Sequence, residues 1–421
     1  MILEYSITNT YSIGEKQTIS FEPATYDEEN KNHYIDVNGT KILKLACIYG
    51  SNAAGKTNMA VALNFYLRFM AYSFYTTKPE EKIPFVPYFF ETENLDDVCG
   101  EFDLVFFAYS TEEKKYIKYH YYLRINRNEV LEESLNYYPK KLPRLIFNRN
   151  KMNIEWGNSV KGAKKAIEDI LISNCSLISA SSKTKISVLN DVFFYIVNRY
   201  KGFFSPFNNE IPQSLLEKLD NDESLKNKAT GFLSFADFGS ISDISIKKEI
   251  KESNGNLSLT ASNNKEKTNR IASLVHKYNQ KEYPLPLGLE SAGTIRVLEL
   301  IEPLVNSTES SLSIIDEIEA SLHQDLIEAF LRLFLELSQN AQLLFTTHNQ
   351  ELLDSGLILD DEVWFCTKTQ NGNSVYNSIS DFKGFRKEVS RKKLYQAGKF
   401  GGLPNIDIQG LKELFYGKKK D

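Results

Sequence analysis

The sequence predicts an α/β fold, and three apolar runs predict it. Residues 41–49 carry Ile42, Leu43, Leu45, Ala46 and Ile48, as a buried strand would, and lead into Gly50-Ser51-Asn52-Ala53-Ala54-Gly55-Lys56-Thr57. Residues 311–315 form a second run, which ends in Asp316-Glu317. Residues 342–347 form a third, which ends in His348.

Behind the glycine-rich stretch, residues 58–71 place Ala60, Leu63, Leu67 and Met70 on one helical face. The stretch reads G-x-x-x-x-G-K-T between a strand and a helix, the context of a phosphate-binding loop. Gly50 and Gly55 permit a tight turn and let backbone N–H groups approach a polyphosphate. The helix N-terminus adds partial positive charge. Ser51, Asn52, Ala53, Ala54 and Asn58 complete the cradle. Lys56 would reach the β- and γ-phosphates, and the Thr57 hydroxyl would hold Mg²⁺. The bland alternative is a glycine turn that happens to carry a lysine, and the full pattern outweighs it.

Residues 1–7 and 17–21 read as strands around a turn at Gly14, and residues 22–40 as a polar loop. Residues 78–98 form a connector with Pro79, Pro84 and Pro87. Aromatic and β-branched runs at 101–108, 115–125, 130–138, 144–147 and 152–156 predict an antiparallel β-subdomain. Residues 161–177, 185–200 and 213–219 read as helices, which predicts a helical insertion. Strand patterns return at 241–250 and 256–261, around Asn254-Gly255. The expected division is 1–157, 158–238 and 239–421. No heptad repeat is sustained, so no long coiled coil is expected.

Asp316, at a strand end, is a candidate Mg²⁺ ligand, and Glu317 a candidate to polarise an attacking water. Strands often end in solvated acids, but with the phosphate loop present that reading recedes. His348 could donate to a γ-phosphate or to the lytic water. Residues 325–338 form the helix between these runs, packing through Ile327, Phe330, Leu331, Phe334 and Leu337. Upstream, Glu290-Ser291-Ala292-Gly293-Thr294 opens a helix over 295–305. By itself a Ser–Gly helix start is a common cap.

In this order the motifs resemble the ABC-type ATPase superfamily, its SMC-like branch, and within it the stand-alone OLD and RloA kind linked to phage defence. Asp316 to His323, Thr346 to Asn349 and the tail Tyr395 to Pro404 share in the resemblance. It implies an ABC-type P-loop ATPase head with an antiparallel β-subdomain and a helical insertion. It also implies head-to-tail pairing of two copies around two ATPs, with Ser291 and Gly293 binding the γ-phosphate in trans. Residues 319–322 would cross the dimer axis. A separate effector, such as a nuclease, is the implied partner. The chain departs from the family at one point, because no glutamine occurs between Gln17 and Gln213. An ATP-binding sensor or scaffold with little turnover, or a DNA-repair-type ATPase head, is the alternative reading.

Net charge is only −5 over 421 residues, which announces no overall nucleic-acid footprint. Local DNA or RNA contact is open, with the basic run 386–393 as best candidate and runs at 140–141, 161–165 and 418–420 beside it. Basic runs are more often solvated faces. No signal peptide and no membrane span of roughly 20 apolar residues is read. Cys47, Cys99, Cys175 and Cys366 are scattered, as reduced thiols of a cytosolic protein would be. About 70 residues follow the last motif by count of the sequence, too few for a large added catalytic domain.

Overall fold

A computed structural model describes residues 1–90, 94–206, 211–236, 239–250, 268–382, 389–403 and 407–416. Its centre is a six-stranded sheet in the order Tyr200–Phe204, Leu312–Ile315, Gln342–Thr347, Leu45–Gly50, Val363–Lys368 and Ser374–Ser378. The first five strands run parallel and the last is antiparallel. Every residue of Leu45–Gly50 is buried, as in a strand covered on both faces.

A seven-stranded antiparallel sheet lies beside it, in the order Asn153–Trp156, Arg144–Asn150, Val130–Tyr138, Lys115–Ile125, Gly100–Ser110, Ile2–Thr8 and Gln17–Ser20. Side chains alternate between buried and partly buried along Lys115–Ile125, the period of a strand with one covered face. The helix Lys56–Thr76 fills the space between the sheets. Its Tyr66 stacks on Phe102 and Tyr121, with ring centroids 5.0 and 5.8 Å away. A second core forms on the other face of the central sheet, around Phe330 and Phe334 of the helix Gln324–Leu337. A third core joins Gln213–Asn221, Glu223–Phe235, the three-stranded sheet Ile241–Ile250, Thr268–Tyr278 and Lys281–Pro286, and the helix Ala292–Val305.

Three local expectations give way to tertiary structure. Residues 22–40, read as a loop, include the short helix Glu28–His33 and the strand Tyr34–Val37, which pairs with Thr40–Leu43. Asn38 and Gly39 form its turn with φ of 54° and 84°, a sequence pair suited to positive φ at both positions. Residues 161–177, read as one helix, are helical only over Lys164–Ile170 before the helix Leu177–Ser181 begins. Buried Arg149 and Glu133 capture the intervening backbone. Arg149 donates to the carbonyls of Ile172 and Cys175 (3.2 and 2.7 Å), and Glu133 accepts from Leu177 N–H (2.9 Å). The third case is Tyr200–Phe204, an outer strand of the central sheet within the segment read as helical. Residues 158–238 therefore serve both the first and third cores as well as that sheet. The expected strand 256–261 and its Asn254-Gly255 turn lie outside the described residues.

Candidate functional site

Three neighbouring parallel strands end at one place. Leu45–Gly50 delivers the glycine-rich loop, Leu312–Ile315 delivers Asp316 and Glu317, and Gln342–Thr347 delivers His348. The loop is shaped by residues distant in sequence. Gly55 has φ of 114°, and a Cβ there would lie 2.1 Å from Ser374 Oγ. A Cβ on Gly50 would lie 2.5 Å from the Cys366 carbonyl oxygen. Ser374 donates to the Ala54 carbonyl (2.5 Å), and Tyr376 donates to that of Gly55 (2.6 Å). Asn58 donates to Ser12 Oγ (2.7 Å), and Ser12 Oγ also pairs with Ser374 Oγ (2.6 Å). Asn52 and Ala53, at the tip, are exposed, and Ala53 has φ of 59°.

Lys56 is buried and opens the helix. Its ammonium donates to the carbonyls of Gly50 (3.0 Å) and Ser51 (3.1 Å) and to His348 Nε2 (2.8 Å). Burial pushes the Lys56 pKa down. Burial, and then the Lys56 charge, push the His348 pKa down too, so the imidazole is neutral and accepts from the ammonium. Glu319 accepts from the Thr347 hydroxyl (2.8 Å) and from the His348 backbone N–H, fixing the end of that strand.

Thr57 Oγ1 donates to the Asp316 carboxylate at 3.0 Å, and Thr346 Oγ1 donates to it at 2.6 Å. Asp316 is fully buried. Thr346 Oγ1 also accepts the Glu317 backbone N–H (2.8 Å). Glu317 has φ of 47°, and its carboxylate has no hydrogen-bond or ion-pair partner among the described residues. Such a left-handed conformation in a non-glycine residue points to function at this position.

Ser291 caps the helix Ala292–Val305, accepting from Thr294 N–H at 3.0 Å. Neither Ser291 nor Gly293 joins the Lys56–Thr57–Asp316–His348 cluster through a hydrogen bond within the chain. Their helix is instead tied to it through Arg296, which donates to the carbonyls of Asp316 (2.6 Å) and Glu317 (2.9 Å). A Cβ on Gly293 would approach the Ser321 carbonyl oxygen to 3.0 Å, so the helix start rests on residues 319–322. Ser291 itself is exposed.

Of the residues the sequence singles out, Lys56, Thr57, Asp316, Glu317 and His348 come together at these strand ends, and the sequence pattern does not single out Ser12, Arg296, Cys366, Ser374 and Tyr376, which pack around them. The strands Val363–Lys368 and Ser374–Ser378, which bring three of these, carry no motif. The tail resemblance does carry a signal: Tyr395 and Phe400 stack on Phe365, with centroids 5.2 and 4.6 Å away. A Cβ on Gly402 would lie 3.4 Å from Gly50 Cα, so the tail supports the loop from below. Among the described residues no trio of His, Cys, Asp or Glu could hold a metal ion. The Thr57–Asp316 pair is a donor set of the kind that shares Mg²⁺ with phosphates and water.

A sheet of parallel strands, a G-x-x-x-x-G-K-T loop and an acidic strand end define an α/β P-loop ATPase head. The chain belongs to the family described as "AAA domain, putative AbiEii toxin, Type IV TA system", which matches residues 45–354. No curated protein matches it in sequence. Among solved structures it is similar to an SMC head domain from Thermotoga maritima (TM-score 0.38, 14% identity, covering 90% of this chain and 98% of that one). It is also similar to an Smc head bound to the C-terminal winged-helix domain of ScpA (0.43, 12%, covering 90% and 99%). A third is an Smc head with an extended coiled coil bound to the C-terminal domain of ScpA, derived from Pyrococcus furiosus (0.42, 12%, covering 94% and 98%). No helix among the described residues is long and apolar enough to cross a membrane.

Proposed function

We propose that this chain hydrolyses ATP, pairs with a second copy across the nucleotide, and through that pairing controls a separate effector in defence against phage. One observation carries the enzymatic part: the ends of three adjacent parallel strands bring together two hydrogen-bonded groups, Lys56 with His348 and Thr57 with Asp316 and Thr346, side by side at the consecutive residues Lys56 and Thr57. Residues 50–58 bind the phosphates, with Lys56 supplying charge. Asp316 is a buried carboxylate whose direct donors here are neutral hydroxyls, so the donor set fits a divalent cation held by Thr57 and Asp316. When bound, Mg²⁺ neutralises charge on the transferring phosphoryl group. Glu317, half-buried and with no partner for its carboxylate among the described residues, orients and polarises the water. His348 accepts from Lys56 through Nε2, so in that tautomer its ring proton is on Nδ1, and it is this N–H that would donate to the phosphate or the water once Lys56 turns to the phosphates.

Ser291 and Gly293 stand exposed or half-exposed at a helix start, apart from the cluster of their own chain. That placement supports their use by the other copy, with Arg296 tying the helix Ala292–Val305 of each copy to its own Asp316 and Glu317. The family's description supports a toxin–antitoxin or defence setting. Nucleic acid is the weaker partner. Within the basic run, Arg391 pairs with Asp360 (2.6 Å) and Lys392 with Glu351, while residues 386–388 lie outside the described residues.

Glu317→Gln tests the enzymatic reading. ATP turnover should fall by at least about 100-fold with nucleotide affinity retained. Normal turnover by that variant removes Glu317 from the mechanism.

A further inference from the structure

Two cross-strand rows of aromatic and cationic side chains meet at one end of the seven-stranded sheet. Phe107, Lys118 and Tyr138 stand opposite one another across three neighbouring strands, and Tyr109 and Tyr116 stand opposite one another in the next row. Residues two apart along a strand share a face, so both rows point the same way. This end lies away from the phosphate loop. Phe106 pairs with Ile2, and the strand Ile2–Thr8 runs from there towards Ser12, which bonds to Asn58 beside the loop.

An open groove of about 630 Å³ lies at this end. Lys115, Lys118, Lys140 and Lys141 line it with Tyr116 and Tyr138, and no carboxylate among the described residues does. The whole chain has a net charge of −5, so four lysines around one groove run against its balance. Lys115 pairs with Glu113 at 3.4 Å, whereas Lys118, Lys140 and Lys141 have no ion-pair partner among the described residues. Arg391 and Lys392 differ, each being matched to an acid. Lys140 and Lys141 are exposed, and half-buried Lys118 holds its ammonium 4.7 Å from the Tyr138 ring centroid. Asn38 forms one wall and donates to the Tyr116 carbonyl (2.7 Å). Tyr116 also meets Tyr109 edge to face, with centroids 5.6 Å apart. Tyr109 is 48% exposed, so aromatic surface open to solvent continues past the groove.

Cations alone would suit any polyanion. Aromatic rings interleaved with them on an open sheet face add π-surfaces, which the bases of a single strand can use and the stacked bases of a duplex cannot. We propose that this surface binds single-stranded nucleic acid, with phosphates on Lys118, Lys140 and Lys141 and bases against Tyr109 and Tyr116. The proposal does not rest on ATP hydrolysis. Fluorescence anisotropy of the full chain with labelled oligothymidylate and oligouridylate of about 15 nucleotides tests it. A DNA duplex of the same length and poly-glutamate are the controls. Saturable binding is expected for at least one strand at about 50 mM salt, with both controls at least about fivefold weaker. The two strands separate DNA from RNA, and a preference for either supports the site. Lys118→Gln, Lys140→Gln and Lys141→Gln combined should weaken binding at least about tenfold and make the log–log salt slope shallower by about 2. Tyr109→Ala, at an exposed position, should weaken it at least about fivefold with slope and unfolding temperature unchanged. Lys392→Gln with Lys393→Gln should change neither affinity nor slope. The proposal is overturned if neither strand binds below about 100 μM, or if the duplex or poly-glutamate binds as tightly. It is also overturned if the triple variant or Tyr109→Ala binds like the parent, or if the Lys392–Lys393 variant loses as much as the triple one.

Discussion

Thr346 uses one hydroxyl twice, donating to Asp316 and accepting from the Glu317 N–H at 2.6 and 2.8 Å. Thr346→Val keeps the shape and removes both bonds, leaving a buried carboxylate one donor short and an N–H unpaired. It should cost about 1–3 kcal/mol in urea unfolding and reduce ATP turnover more than ATP binding. Gly55 belongs at the same scale. With φ of 114° and no room for a Cβ beside Ser374, Gly55→Ala should destabilise the chain by about 1–3 kcal/mol in the same measurement. These two residues also show what a linear reading can reach. Gly55 is legible because its motif is local. Ser374, the residue that forbids a side chain there, arrives from 319 positions later and is visible only once the sheet is assembled.

Among the elements, the buried Glu133–Arg149 pair ties the antiparallel sheet to residues 172–177. These in turn lead to the helix Leu177–Ser181, whose Ser179 bonds to the backbone at Ala71 and Phe74 of the helix Lys56–Thr76. Both charges are fully buried. Arg149→Met alone should destabilise by about 3–5 kcal/mol, because Glu133 is left uncompensated, and adding Glu133→Leu should recover most of the loss in a double-mutant cycle. Glu302 joins the helices Gln213–Asn221 and Ala292–Val305 by accepting from Ser214 (3.0 Å), and its Oε2 is unpaired. Burial pushes its pKa up to about 7 from an ordinary 4.5. The folded state therefore holds this proton more tightly than the unfolded one. The resulting stability is complete below about pH 4.5 and is lost as pH rises through about 7. Glu302→Gln should flatten that part of the stability–pH curve and leave the variant more stable than the parent above pH 7. The periodicity of 115–125 and 130–138 made those strands legible, since each carries its own alternating pattern. The shortened helix at 164–170 was not, because the force that ends it comes from Arg149 and Glu133 in other elements.

For the molecule as a whole, the separation of Ser291 from the Lys56 cluster sets the expected assembly behaviour. Ser291→Arg should abolish ATP-dependent pairing in sedimentation while a single chain keeps most of its ATP affinity. Unchanged pairing would remove the shared-nucleotide reading. The order of strands in the central sheet bears on how the protein comes into being. Gln342 bonds to both the N–H and the carbonyl of Ile2 (2.7 and 2.8 Å), to the Leu43 carbonyl (3.2 Å), and to Arg199. A single amide thus clasps the opening strand, the strand region before the phosphate loop and the end of a mid-chain helix. On the ribosome the first strand emerges long before this clasp exists. Closure of the sheet has to wait for the last third of the chain, so its strands are exposed to misassembly throughout synthesis.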